Sequence, residues 1–141
     1  MRPARALAAA AVAAGLGLAG CTGTPAEGSG APTQTVESFM HALGDKDPDT
    51  ACAQVSTGGE PLSGLDLDQC REGLRKVLAA VQDPSDLARL KSAKVTGAQV
   101  TGDKATVLAA QITGVPDGYQ NDIDLLRLGG RWYIDSKTPA G

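Results

Sequence analysis

The chain has 141 residues, 42% of them hydrophobic and 21% charged, with a formal net charge of −3. That length suits one domain, and the modest acidic balance argues against a nucleic-acid partner and against a polybasic grip on anionic lipid. Phe39, Tyr119, Trp132 and Tyr133 are the only aromatic residues, too few for a base-stacking platform, and no internal repeat is present.

Residues 1–20 read as an export signal. Arg2 and Arg5 form a positive start with the terminal amine, and they are not adjacent, so the signal is not of the twin-arginine kind. Ala6 to Ala19 is uncharged and mostly apolar. It is short and rich in Ala and Gly, which suits a signal peptide better than a bilayer span. Leu18-Ala19-Gly20-Cys21 then reads as a lipobox. Small side chains let the chain lie extended in a narrow peptidase site, and the Cys21 thiol takes a diacylglyceryl group as a thioether. The alternative is an ordinary secretory signal with an unrelated cysteine, or an uncleaved helix. Residues 22–32 favour the lipobox: they lack an apolar period and are rich in Gly, Pro, Ser and Thr, as a flexible tether is. This reading places the domain on the extracytoplasmic face of the cell membrane. Two acyl chains on Cys21 meet the two-signal requirement for stable anchoring.

The folded domain is expected over 33–136. Val36, Phe39, Met40 and Leu43 recur at i, i+3, i+4 and i+7, which predicts a helix from Thr33 to Leu43 that Gly44 stops. Asp47 is placed to cap a second, short helix with Pro48 in its first turn, carrying Ala51, Cys52 and Val55. Gly58-Gly59-Glu60-Pro61 breaks it. In a third helix, capped by Asp68, the residues Cys70, Leu74, Val77, Leu78 and Val81 fall in one sector of about 100°. Glu72 and Lys76 form a favourable i, i+4 pair on it. Asp83-Pro84 caps a last short turn with Leu87 and Leu90.

Beyond Leu90 the period changes to two. Val95–Thr101 and Lys104–Thr113 read as strands joined at Gly102-Asp103, and Tyr119–Leu128 and Arg131–Ser136 as a second pair. Gly129-Gly130 predicts a two-residue hairpin loop, because both central positions of that turn need positive φ. The resulting register sets Arg127 opposite Trp132 and Leu125 opposite Ile134. Ile123, Leu125, Trp132 and Ile134 then share one face, and Leu126, Leu128 and Tyr133 the other. Residues 137–141 are a tail. The expected class is α+β, with N-terminal helices packed on a curved, cone-like antiparallel four-stranded meander.

With Cys21 given to lipid, Cys52 and Cys70 are an even pair in an oxidising compartment and are expected to form a disulfide. Such a loop stabilises a fold by about 3 kcal/mol on the chain-entropy model. A metal site needs further ligands at short spacing, and His41 is the only histidine. A redox pair normally has Cys-x-x-Cys spacing. Neither a metal nor a cofactor is expected.

The stretch Thr35-Val-Glu-Ser-Phe-Met-His-Ala-Leu-Gly-Asp-Lys-Asp-Pro-Asp-Thr-Ala-Cys52 resembles the opening of nuclear-transport-factor-2-like (cystatin-like cone) lipoproteins of high-GC Gram-positive bacteria. Leu126-Arg-Leu-Gly-Gly-Arg-Trp-Tyr-Ile-Asp135 is similar to the closing hairpin of that superfamily. The resemblance spans roughly residues 33–136 and implies a cone-like α+β domain. It implies no single activity, because such folds carry enzymes and transport factors alike.

Candidate chemistry is sparse. Asp45, Asp47 and Asp49 alternate as a calcium loop begins, but the Gly and Glu such a loop requires are Thr50 and Ser56 here, so a helix cap is the simpler reading. His41 is a conceivable general base, yet it lies off the buried stripe and reads as a solvated helix residue. Asp124 and Asp135 face each other near the open end of the last hairpin. With Tyr119 and Tyr133 as donors they would resemble the site of cone-fold isomerases, where a carboxylate base works with a Tyr or neutral Asp oxyanion donor in an apolar pocket; two carboxylates this close could also share a proton. As solvated edge residues they would discourage strand aggregation. Trp132 reads as core rather than pocket lining. No catalytic residue is assigned. The leading expectation is a non-enzymatic, lipid-anchored domain that binds a small apolar ligand or an envelope protein. A cone-fold isomerase or hydratase and a structural accessory subunit are the alternatives.

Overall fold

The computed structural model describes residues 30–137. The signal over 1–20, the lipidation residue Cys21, tether residues 22–29 and tail residues 138–141 lie outside the described residues.

Helix α1 spans Pro32–Gly44, with the extended Ala31 before it and Pro32 in the first turn. Val36, Met40 and Leu43 are buried along it, as their spacing predicts. Gly44 does more than mark an end. A Cβ there would lie 2.7 Å from the Lys91 backbone nitrogen and 2.8 Å from the Leu87 carbonyl oxygen, so glycine is what lets a later helix approach. Asp47 caps α2 (Pro48–Cys52) as expected, accepting from Thr50 N at 3.0 Å and Thr50 Oγ1 at 2.6 Å. Val55, expected in that helix, instead opens strand β1 (Val55–Thr57). The last strand of the chain captures it: Ile134 N donates to Gln54 O at 2.7 Å, a long-range pairing that local periodicity does not reveal. Gly58-Gly59 turns the chain into β2 (Glu60–Pro61).

Helix α3 spans Gly64–Ala80, starting a turn earlier than expected, with Ser63 rather than Asp68 at its N-cap. Its predicted buried stripe is narrower than the spacing suggested. Leu78 is buried and Leu74 half-buried, while Val77 is 57% exposed. Asp83 caps α4 (Pro84–Lys91) through Ser85 N at 2.8 Å, and Leu90 on α4 is fully buried.

The two long strands expected over 95–113 are broken into pieces. β3 (Lys94–Val95) pairs with β6 (Ile112–Thr113) in a small sheet of its own, and β4 (Gln99–Thr101) pairs with β5 (Lys104–Val107). A 3₁₀ turn over Ala109–Gln111 separates β5 from β6, where Gln111 Oε1 accepts from Leu108 N at 2.9 Å. Ala-Ala-Gln lacks the β-branched side chains that would keep it extended. β7 (Ile123–Leu128) and β8 (Arg131–Asp135) form the closing hairpin with the expected register, Arg127 opposite Trp132 and Leu125 opposite Ile134. Gly129 and Gly130 have φ of 57° and 80°, as the turn demands. Residues 119–122, expected in that strand, are loop.

Among the described residues the main sheet has six strands in the order β2-β1-β8-β7-β5-β4. β1 runs parallel to β8 and the other neighbours are antiparallel. The domain is therefore α+β with a mixed sheet, and the four-stranded antiparallel meander is corrected to that extent. Helix α1 packs on one face, against Ala105, Val107, Leu125 and Trp132. Directly paired residues share a face, so Lys104, Thr106, Asp124, Leu126 and Asp135 lie on the opposite one.

Candidate functional site

On that opposite face lies a cleft of about 490 Å³. Its floor follows from strand register. Thr106 sits opposite Asp124 and Lys104 opposite Leu126 across β5 and β7. Asp135 follows on β8, beside Ser56 of β1. Lys137, just past β8, and the Gly58–Gly59 turn complete the lining.

Asp124 is the best-anchored charge here. Thr106 Oγ1 donates to its Oδ1 at 2.8 Å, and Lys137 Nζ donates to its Oδ2. These donors, Lys137 first, hold the carboxyl below its ordinary value, outweighing the cost of burial. The same contact raises the Lys137 ammonium, with Asp135 adding a smaller attraction. The two aspartates are brought together as expected, but with a lysine between them in charge. The groups that lower Asp124 are the two donors on its carboxylate, Lys137 and Thr106, and not its neighbour Asp135.

The other candidates disperse. Tyr119 packs against the hydrophobic core from a loop, and Tyr133 is buried opposite Leu126. His41 is not a freely solvated helix residue: it is half-buried, with Nε2 2.9 Å from the carbonyl oxygen of Ala93, joining α1 to the segment before β3. Asp45, Asp47 and Asp49 do not converge. Asp45 pairs with Lys91 at 3.3 Å, Asp47 caps α2, and Asp49 pairs with Arg71 at 2.8 Å. Trp132 is 4% exposed within the core, with the Arg127 guanidinium 5.5 Å from its ring centroid in a cation–π contact. Cys52 and Cys70 are disulfide-bonded, their Cα atoms 6.0 Å apart, and the bridge clamps α2 to α3.

Sequence reasoning missed Lys104, Thr106, Lys137 and the Gly58–Gly59 wall. The period-two pattern already set Lys104 and Thr106 on one face of their strand. What it lacked was the pairing of that strand with β7, which brings them beside Asp124.

Comparison with protein-family models, with curated proteins and with solved structures finds no match.

Proposed function

We propose that this chain is an exported lipoprotein, anchored through Cys21 at the extracytoplasmic face of the cell membrane, whose domain binds a ligand or partner without transforming it. The anchor rests on Leu18-Ala19-Gly20-Cys21 and the basic, apolar leader ahead of it. Helix α1 begins at Pro32, where the tether composition ends, as a domain hung from such an anchor requires. The resemblance of 35–52 and 126–135 to cone-fold lipoproteins supports the same reading.

The observation that carries the binding reading is the cleft on the sheet face that α1 leaves uncovered. Its floor presents Lys104, Asp135 and the Asp124–Lys137 pair around Leu126. Such a lining favours a polar ligand, or an envelope protein with charges of both signs, over the small apolar ligand suggested by sequence alone. A general acid or base works best with a pKa near the working pH. Asp124 is displaced downward, which favours binding over proton transfer.

An accessory structural role is the second reading. It is favoured by the space between α1 and the sheet, which Val36, Met40, Leu43, Val107, Leu125 and Trp132 fill. Native mass spectrometry of the protein extracted from its own membrane separates the two. A retained molecule or partner that is lost on Lys104→Glu and on Asp135→Lys supports binding through the cleft. Bare monomer from the unaltered protein overturns it.

A further inference from the structure

The two cysteines bracket one wall of the cleft. Cys52 ends α2 just ahead of β1, and Cys70 lies in α3 just after β2. Their bridge closes a loop with a sequence separation of 18, and the turn of that loop is Gly58–Gly59, which lines the cleft.

The two legs of the loop are held unequally. β1 is stitched to β8: Ile134 N donates to Gln54 O at 2.7 Å, Ser136 N to Ser56 O at 2.9 Å, and Ser56 Oγ to Ile134 O at 3.1 Å. On the other leg, β2 is two exposed residues that pair with β1, and Leu62 N donates to Val55 O at 3.1 Å, so the hairpin holds this leg as far as Leu62 and α3 lies beyond it. In the 17 residues of α3, Leu78 is the one that is buried, while Leu65 and Val77 are 71% and 57% exposed. The ion pair from Arg71 reaches an Asp49 side chain that is 68% exposed, and such pairs contribute little. Lys46 Nζ reaches Val81 O at 3.1 Å, also at the surface. Helices in proteins draw most of their stability from packing of an apolar face, which α3 has only in part, and Gly73 at its middle weakens it further. The covalent bridge is therefore the strongest tie between α3 and the body.

We infer that Cys52–Cys70 is a redox latch: it holds α3 and the Gly58–Gly59 edge of the cleft in place, and its reduction by an extracytoplasmic dithiol frees α3 while the rest of the domain stays folded. Cys52 is fully buried and Cys70 half-buried, so a thiolate of the dithiol attacks the Cys70 sulfur. A mixed disulfide forms, and Cys52 leaves as a thiolate that takes up a proton. The second thiol of the reductant then attacks its own sulfur in the mixed disulfide, releasing Cys70 as a thiol. Two electrons and two protons pass to the cysteines, and the reductant ends as an intramolecular disulfide. The consequence for ligand binding rests on the cleft being the binding site; release of α3 does not, and is measured without ligand.

The test is hydrogen exchange on the full chain in detergent, with and without dithiothreitol, reduction being verified by alkylation of both thiols. Reduction should speed exchange of the 64–80 amides at least tenfold and open trypsin sites at Arg71, Arg75 and Lys76. Amides of α1, β1, β7 and β8 should keep their protection. A Cys52→Ser/Cys70→Ser double variant should show the same pattern without reductant. Unchanged protection of α3 in the reduced protein would overturn the latch. So would loss of protection throughout the domain, or a bridge that dithiothreitol cannot open.

Discussion

Thr35 on α1 donates its hydroxyl to the backbone carbonyl of Trp132 on β8 at 3.0 Å, a buried bond between residues 97 apart in sequence. The same hydroxyl lies 3.2 Å from Ala31 O, one helical turn back, so it ties the first turn of the helix to the centre of the sheet. Both residues are almost fully buried, and a buried acceptor that loses its donor pays the desolvation cost in full. Thr35→Val keeps the shape and removes the donor. It should lower stability by about 1–2 kcal/mol, read as a reduced urea midpoint at unchanged slope, and Thr35→Ser should recover most of it. A midpoint equal to that of the unaltered protein would show that the bond is not worth its geometry.

The approach of α4 to the end of α1 depends on the missing side chain of Gly44. Added at 2.7 Å from backbone Lys91 N, a methyl group cannot be accommodated by rotating a side chain; the helices must separate. Gly44→Ala should therefore destabilise the domain by about 1–3 kcal/mol, the usual range for overpacking. That is opposite to the gain expected from alanine's better helix propensity at an unhindered site. Thermal unfolding decides the sign: a raised Tm would mean that α4 is not seated against α1.

The Asp124–Lys137 contact makes a directional statement about pH. The Asp124 pKa is lowered from 3.8 in the folded protein, so its contribution is present above the ordinary carboxylate value and is lost as pH falls through the folded value. Lys137 is raised from 10.5, so its contribution is present below that value and is lost as pH rises through the folded one. Both side chains are substantially exposed, at 40% and 72%, so solvent and salt make the net effect on stability small. The titration itself is the better readout. In Lys137→Met the Asp124 carboxyl should titrate at higher pH than in the unaltered protein, followed by carboxyl-carbon NMR. Thr106→Val should shift it in the same direction by less. Titration unmoved by either change would mean that neither donor engages Asp124 in solution.

Cys21→Ala tests the anchor. The expected result is export with release from the membrane, or retention with the signal uncleaved, resolved by fractionation and intact mass. Cleavage and membrane retention like those of the unaltered protein would overturn the lipidation assignment.

Local features of this chain were legible in its sequence because their causes are local. Asp47 and Asp83 cap their helices through side chains that reach only two or three residues ahead. The closing hairpin keeps its register because Gly129-Gly130 supplies two positive φ angles in succession, after which alternation sets every facing pair. The stripe of Val36, Met40 and Leu43 is buried because a helix has one period and this one meets a sheet.

The even cysteine pair, too, was in the sequence, and the bridge joins the residues expected. What it bears on was not: α3 carries an apolar stripe that the body covers only in part, and Val77, in that stripe, remains exposed. Only the tertiary structure decided that Val55 joins a sheet, since its partner Ile134 lies far along the chain. It likewise decided that Lys104, Thr106, Asp124, Asp135 and Lys137 meet in one cleft. Periodicity tells each strand which residues share its face, but the order of strands is chosen by packing over the whole domain, and a site assembled across β1, β8, β7 and β5 exists only once that choice is made.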